Sequence, residues 1–123
     1  LADAFSVHVP LTKETEGTIN LDILRRMRRD AVFINIARGP IVCEEDLITA
    51  LREKMIMAAG LDVVSEEPLP ADSELLRMEN VIVTPHAAFY TVEAEDELTQ
   101  EVVYALTEGR PHVFVNQADF ERF

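Results

Sequence analysis

Apolar residues follow two rhythms along this chain: short runs ended by proline or glycine, and longer stretches in which they return every third or fourth position. The runs predict buried strands and the longer stretches predict amphipathic helices. Phe5-Ser-Val-His-Val9, closed by Pro10, predicts a first strand, after which Thr12 is placed to cap a brief helical turn through Gly17. Asn20 then caps a helix in which Leu21, Leu24 and Met27 share one face and which ends near Arg29. A second strand is read over Ala31–Ala37, stopped by Gly39 and Pro40. A second helix is read over Glu44–Lys54, where Leu47, Ile48, Leu51 and Met55 recur at helical spacing and Glu44, Glu45 and Asp46 complement the positive end of the helix dipole. Met57–Val63 reads as a small-residue strand and Val81–Thr84 as a β-branched one, with a loop rich in proline and acids between them. Thr91 caps a final helix with an apolar stripe of Leu98, Val102, Ala105 and Leu106, stopped by Gly109 and Pro111. Its Glu93, Glu95, Asp96, Glu97 and Glu101 are expected to face water.

Strands alternating with helices predict an α/β fold: a parallel sheet of about four strands, built from right-handed crossovers and covered by helices on both faces. A chain of 123 residues, 48% hydrophobic, is enough for one core and one domain. With 23 acidic against 11 basic residues the formal charge is −12, which opposes the phosphate neutralisation that nucleic-acid binding needs. The local exception, Arg25, Arg26, Arg28 and Arg29, is read as the solvated face of a short helix. No apolar run approaches the roughly 20 residues of a membrane span, and nothing at the N-terminus reads as a signal peptide. Together with the single Cys43, which has no internal disulfide partner, this predicts a cytoplasmic protein with no membrane partner. The chain opens at Leu1 without an initiator methionine and enters its first strand almost at once, so it reads as an excised piece.

Candidate chemistry lies where three strands end, because ligands of open parallel sheets bind beyond the carboxyl ends of the strands. The second strand runs into Arg38-Gly39, the third reaches Asp62 and then Glu67-Pro68, and the fourth runs through Thr84-Pro85 into His86. These are the residue types needed to interconvert a 2-hydroxy acid and a 2-oxo acid. An imidazole gives or takes the hydroxyl proton, and a carboxylate on its other nitrogen orients it. A guanidinium grips the substrate carboxylate through two parallel hydrogen bonds and polarises the carbonyl. His86, Glu67 and Arg38 fit those roles. Each candidate has an ordinary rival: Arg38 as a surface arginine, Glu67 as a solvated loop acid, Asp62 as the cap of a turn. His8, inside the first strand, is read as a buried structural histidine, His112 as a surface residue, and Met55 and Met57 as core filling. No residues stand at metal-ligand spacing, so no metal is expected.

Four strings carry a resemblance. A-D-A-F-S-V-H-V-P-L-T-K-E-T, N-I-A-R-G-P-I-V, G-L-D-V-V-S-E-E-P-L and V-I-V-T-P-H-A-A, spanning Asp3 to about Ala88, resemble in order and spacing the C-terminal signatures of the D-isomer-specific 2-hydroxyacid dehydrogenases. The resemblance implies a partial Rossmann-like, doubly wound sheet, with residues 1–110 as the C-terminal half of a dinucleotide-binding domain and 111–123 as a tail returning toward an absent substrate domain. It implies that Arg38 binds the substrate carboxylate, that Glu67 pairs with His86, and that His86 is the acid/base. It also implies a cofactor, NAD with NADP not excluded, lined by Val9, Ile36, Ala37, Arg38, Asp62, His86 and Ala88, with Asp62 near the nicotinamide carboxamide. Two features depart from the family pattern. Cys43 replaces the usual aspartate before the second helix, a weaker cap, and the chain contains no G-x-G-x-x-G phosphate loop.

The reading is therefore part of an NAD-dependent oxidoreductase acting on a small 2-hydroxy or 2-oxo acid, the chain alone being inactive. The P-H-A-A-F-Y segment also resembles the C-terminal-binding-protein branch of corepressors that use the same fold and NAD, and a non-catalytic self-associating fragment is a further alternative. Loss of the glycine-loop strand would leave Phe5–Val9 as a bare hydrophobic edge, which predicts a homodimer through that edge, disrupted by a charge at Val7.

Overall fold

A computed structural model describes residues 2–109. Four short strands, β1 (Ala4–Val7), β2 (Val32–Asn35), β3 (Ala58–Leu61) and β4 (Val81–Val83), form one sheet in the order β1-β2-β3-β4. Every neighbouring pair is parallel, in a register that aligns Phe5, Phe33, Ala59 and Val81. Parallel neighbours need crossovers. These are α1 (Leu21–Leu24), α2 (Glu44–Arg52) and, before β4, a 3₁₀ turn at Glu74–Arg77; a second 3₁₀ turn, Gly39–Ile41, follows β2. The helix α3 (Val92–Glu108) follows the sheet, and the chain separates into two compact units, 1–88 and 89–123.

The core lies on one face of the sheet, where Val7, Phe33, Ala59 and Leu61 meet Leu24, Ile41, Leu47, Leu51, Ile56 and Leu75. Phe33 is fully buried and meets Phe5 edge-on, with ring centroids 5.9 Å apart. α2 presents Leu47, Ala50 and Leu51 inward, as its spacing predicts, and Cys43 at its N-cap makes no side-chain capping bond. Asp46 ties the two helices together by accepting a hydrogen bond from the Leu21 amide at 2.9 Å. The opposite face within residues 2–88 is far more open, with Ile36 41% and Ile82 72% exposed. Within residues 2–88 the connecting helices pack on one face of the sheet. Right-handed crossovers that advance in one direction across a sheet place every connecting helix on the same side.

α1 is shorter than predicted, since helical hydrogen bonding gives way after Leu24 to tighter three-residue bonds from Arg26 to Ile23 and from Met27 to Leu24. Arg28 then pairs with Asp3 and Asp30, drawing the chain toward β2, and all four arginines of the cluster are exposed as expected. Thr12 caps a brief turn as expected: its hydroxyl accepts from the Glu14 amide at 3.2 Å and its carbonyl from the Glu16 amide at 3.0 Å, and the turn runs through Gly17. Two core assignments are corrected. Met57 is 52% exposed because it precedes β3 at the amino edge of the sheet, whereas Met55 packs against the core. His8 is exposed: β1 ends at Val7, and the next residue leaves the pairing and faces solvent.

α3 starts at Thr91, whose hydroxyl accepts from the Ala94 amide, and stops at Gly109, which adopts a left-handed φ of 69°. Both ends follow the sequence. None of its residues is buried, and Leu98, Val102 and Leu106 are 63%, 51% and 81% exposed. His112 and the tail 111–123 lie outside the described residues. Among the described residues no helix is long and apolar enough to cross a membrane.

Candidate active site

Three strand ends build the site. β2 delivers Asn35, whose side chain is 1% exposed and turns back on its own loop: Nδ2 donates to the Arg38 carbonyl at 3.0 Å, and Oδ1 accepts from the Ala37 amide at 3.1 Å. Arg38 is exposed, its Nη1 donating to the Ala37 carbonyl at 2.6 Å. Gly39 comes next because nothing larger fits. A Cβ there would lie 1.8 Å from the Val64 carbonyl oxygen, so the turn carrying Arg38 packs backbone to backbone against the loop leading to Glu67.

β3 delivers Asp62, 6% exposed, whose carboxylate accepts from the Thr84 hydroxyl at 2.5 Å and from the Ala87 and Ala88 amides, each at 2.9 Å. Its backbone carbonyl also accepts from the His86 amide at 2.9 Å. These bonds hold a turn that is costly by itself, since His86 has a φ of 54°, a region non-glycine residues avoid. Burial pushes the Asp62 carboxyl upward, but the Thr84 hydroxyl, the two amides and the charge of His86 outweigh it, so the net shift is downward.

Glu67 and His86 meet directly, with Glu67 Oε2 2.8 Å from His86 Nδ1 and both side chains 40% exposed. Glu67 Oε1 accepts from the Val64 amide at 3.2 Å, and the Glu67–Pro68 peptide is cis. The hydrogen bond from His86 holds the Glu67 carboxyl below the usual carboxylate range against the opposing effect of burial, helped by the Val64 amide and the charges of His86 and Arg38. The Glu67 contact on Nδ1 fixes the orientation of the imidazole ring.

The remaining sequence candidates line two clefts. Val9, 46% exposed, shares a cleft of about 410 Å³ with His8, Pro10, Leu11, Ala37 and Arg38. Ile36, Asp62 and Ala88 border a groove of about 390 Å³ on the open face, floored by Ile34, Gly60 and Ile82. Adjacent to the Glu67–His86 pair is a cavity of about 320 Å³ walled by Val64, Leu69, Leu76, Val83 and Pro85. All seven expected cofactor contacts and all three expected catalytic residues therefore gather at the carboxyl edge. Among the described residues no group of three His, Cys, Asp or Glu is arranged to hold a metal.

Sequence reasoning passed over Asn35, Gly39 and Thr84. The first had a legible signal: it is the one polar residue in the otherwise apolar run Ala31–Ala37, three places before Arg38. Gly39 and Thr84 had none, because their roles depend on the neighbouring strand's loop and carboxylate.

Four parallel strands in one sheet, with a cation, a carboxylate and an imidazole at their carboxyl ends, define a Rossmann-like α/β architecture. Residues 1–88 match the family model described as D-isomer specific 2-hydroxyacid dehydrogenase, NAD binding domain, and the chain belongs to that family. It is 44% identical over 120 residues to a glyoxylate reductase of Thermofilum pendens, covering 94% of this chain and 35% of that protein. It is 39% identical over 119 residues to a hydroxypyruvate reductase of Blautia hydrogenotrophica, covering 94% of this chain and 37% of that protein. The crystal structure of D-lactate dehydrogenase with NAD+ from Lactobacillus jensenii superposes with a TM-score of 0.78 at 39% identity, covering 94% of this chain and 40% of that one. The chain thus spans little more than a third of the curated relatives it matches.

Proposed function

We propose that this chain supplies the proton-transfer and carboxylate-binding residues of an NAD-dependent D-2-hydroxyacid dehydrogenase that reduces a small 2-oxo acid such as glyoxylate or hydroxypyruvate. One observation carries the reading: the 2.8 Å contact between Glu67 and His86 Nδ1, made at the same sheet edge as Arg38. Arg38 binds the substrate carboxylate and draws electron density from the adjacent carbonyl. His86, as imidazolium, passes its Nε2 proton to the carbonyl oxygen as the carbonyl carbon receives a hydride, giving the 2-hydroxy acid. Glu67 keeps the ring oriented through its contact with Nδ1. In the reverse direction neutral His86 takes the hydroxyl proton.

The residues present fit the nicotinamide end of NAD. The open-face groove is apolar and flat at Gly60, where a Cβ would meet nothing within 4 Å, which suits the face of a planar ring. Bound there, the nicotinamide would supply or accept the hydride. Val9, Ile36, Ala37, Arg38, Asp62, His86 and Ala88 would line that end, and Asp62 keeps one acceptor position for a carboxamide, since three of about four carboxylate lone-pair sites are used. NADP is the alternative cofactor, since a relative from Xanthobacter autotrophicus 42% identical to the chain is described in complex with NADPH.

The test is NADH oxidation by the full-length polypeptide carrying this segment, with glyoxylate and hydroxypyruvate as substrates. His86→Ala should lower the rate by about 100- to 10,000-fold, the range of general acid/base contributions. Activity within a few-fold of the parent removes His86 from the mechanism. The 123-residue chain alone should bind NAD weakly in calorimetric titration, because its sequence lacks the phosphate-binding glycine loop; a micromolar Kd would show the contacts are misplaced.

We further propose a cytoplasmic protein, on the strength of the single free Cys43, and a two-fold dimer through β1. β1 pairs with β2 alone among the described strands and lies at the edge of the sheet. The probe of that edge changes with the structure. Val7 is 4% exposed and points into the core, so a charge there would unfold the chain, whereas Ser6 on the opposite face is the place for a lysine. Light scattering of the chain should report a dimer that Ser6→Lys dissociates; a monomeric parent ends the proposal.

A further inference from the structure

The two buried polar side chains among the described residues, Asn35 and Asp62, occupy equivalent places. Each stands at the carboxyl end of a central strand, and the Asp62 amide donates to the Asn35 carbonyl at 2.9 Å, so the two positions are joined across the sheet. Asn35 spends its amide on the backbone of Ala37 and Arg38, and Asp62 spends its carboxylate on Thr84, Ala87 and Ala88. A buried polar group is retained only where its hydrogen bonds are made, and here every bond runs to a loop that carries a candidate catalytic side chain.

We propose that Asn35 and Asp62 are a matched pair of positioning residues, fixing the Arg38 turn and the His86 turn to adjacent rungs of the sheet and so setting the distance between the substrate's carboxylate grip and its proton donor. The proposal rests on the dehydrogenase reading above for what is positioned, though the clamping itself needs no substrate. The two turns differ in what they need. The Arg38 turn is extended, with φ −148° and ψ 140°, and one donor and one acceptor hold it. The His86 turn is left-handed and is held by three bonds to one carboxylate plus one to the same residue's carbonyl. Release of Asn35 should therefore loosen substrate grip, and release of Asp62 should misplace proton transfer.

Two measurements test this. The first is amide hydrogen exchange on the 123-residue chain: Asp62→Asn replaces one acceptor oxygen by a donor, so the Ala87 and Ala88 amides should exchange about tenfold faster or more, while Phe33, Ala59 and Leu61 stay protected. Asn35→Ala should do the same at the Ala37 amide alone. Where Asp62→Asn fails to fold, Thr84→Val removes one donor to the same carboxylate and should speed Ala87 and Ala88 by a smaller factor. Unchanged exchange at these amides, or equal acceleration across the whole sheet, overturns the clamp. The second is steady-state kinetics on the full-length polypeptide. Asn35→Ala should raise KM for the 2-oxo acid about tenfold with a smaller change in kcat, and Asp62→Asn should lower kcat about tenfold or more with a smaller change in KM. Equal effects on both constants in both variants overturn the division of labour. A parent without turnover, combined with selective exchange in the variants, sinks the dehydrogenase reading and leaves the clamp standing.

Discussion

Gly39→Ala is the substitution whose cost the structure fixes most directly. Gly39 is buried and does not sit in the left-handed region, so alanine meets no conformational objection and the effect is purely steric. The added methyl would lie 1.8 Å from the Val64 oxygen, 2.1 Å from its carbonyl carbon and 2.6 Å from the Ser65 nitrogen, against ordinary contact from 3.4 Å, so the two backbones must part by about 1.6 Å. All three obstructing atoms are backbone and no side chain can swing away. Overpacking a core with flexible neighbours costs about 1–3 kcal/mol, which places this variant at about 3 kcal/mol or above. For a unit of this size that is a fall in Tm of about 15 °C. The same movement separates Arg38 from the loop that carries Glu67, and a misplacement of about 1 Å costs roughly 100-fold in rate. Thermal denaturation of the chain reads the first effect and NADH oxidation by the full-length polypeptide the second. Gly60→Ala is the control, since its Cβ would meet nothing within 4 Å and its Tm should match the parent's. A Gly39→Ala chain melting within about 2 °C of the parent, well inside the shift expected from about 1 kcal/mol, would falsify the close-approach account.

Acid should destabilise the fold in a defined window: Glu67 and Asp62 both have carboxyls lowered in the folded chain, so each contributes stability above its unfolded pKa of about 4 that is lost as pH falls through the lowered value. Glu67→Gln should accordingly melt below the parent at neutral pH and converge with it as the pH falls through the lowered Glu67 pKa; a gap that persists in acid means the stabilisation is not ionic. Phe33→Ala, which empties a fully buried site beneath Phe5, should cost about 3–5 kcal/mol in urea unfolding, and a loss under about 1 kcal/mol would show that the core collapses onto the space. Ile82→Thr on the open face, where Ile82 is 72% exposed, should leave the stability of the chain unchanged within about 0.5 kcal/mol. A larger loss would mean that this face is covered in solution.

What the sequence determined by itself was local. Each strand and helix announced itself by period and stop signals: the Thr91 cap and Gly109 stop of α3, the weak Cys43 cap of α2, and the strand ends that deliver Arg38, Glu67 and His86. A hydrophobic period and a cap are properties of neighbouring residues, so one stretch of chain suffices to read them. Contacts between strand ends are not of that kind. That Asp62 clamps the His86 turn, that Gly39 lies against Val64, and that Val7 faces the core while His8 faces solvent all depend on which loops the parallel register brings side by side. Residues 22 or more apart in sequence make those contacts, and only pairing of β2 with β3 and of β3 with β4 sets their spacing. The sequence named the candidate groups because their chemistry is intrinsic to the side chains; the tertiary structure decided how they are held, because a buried hydrogen bond exists only once both partners have left water.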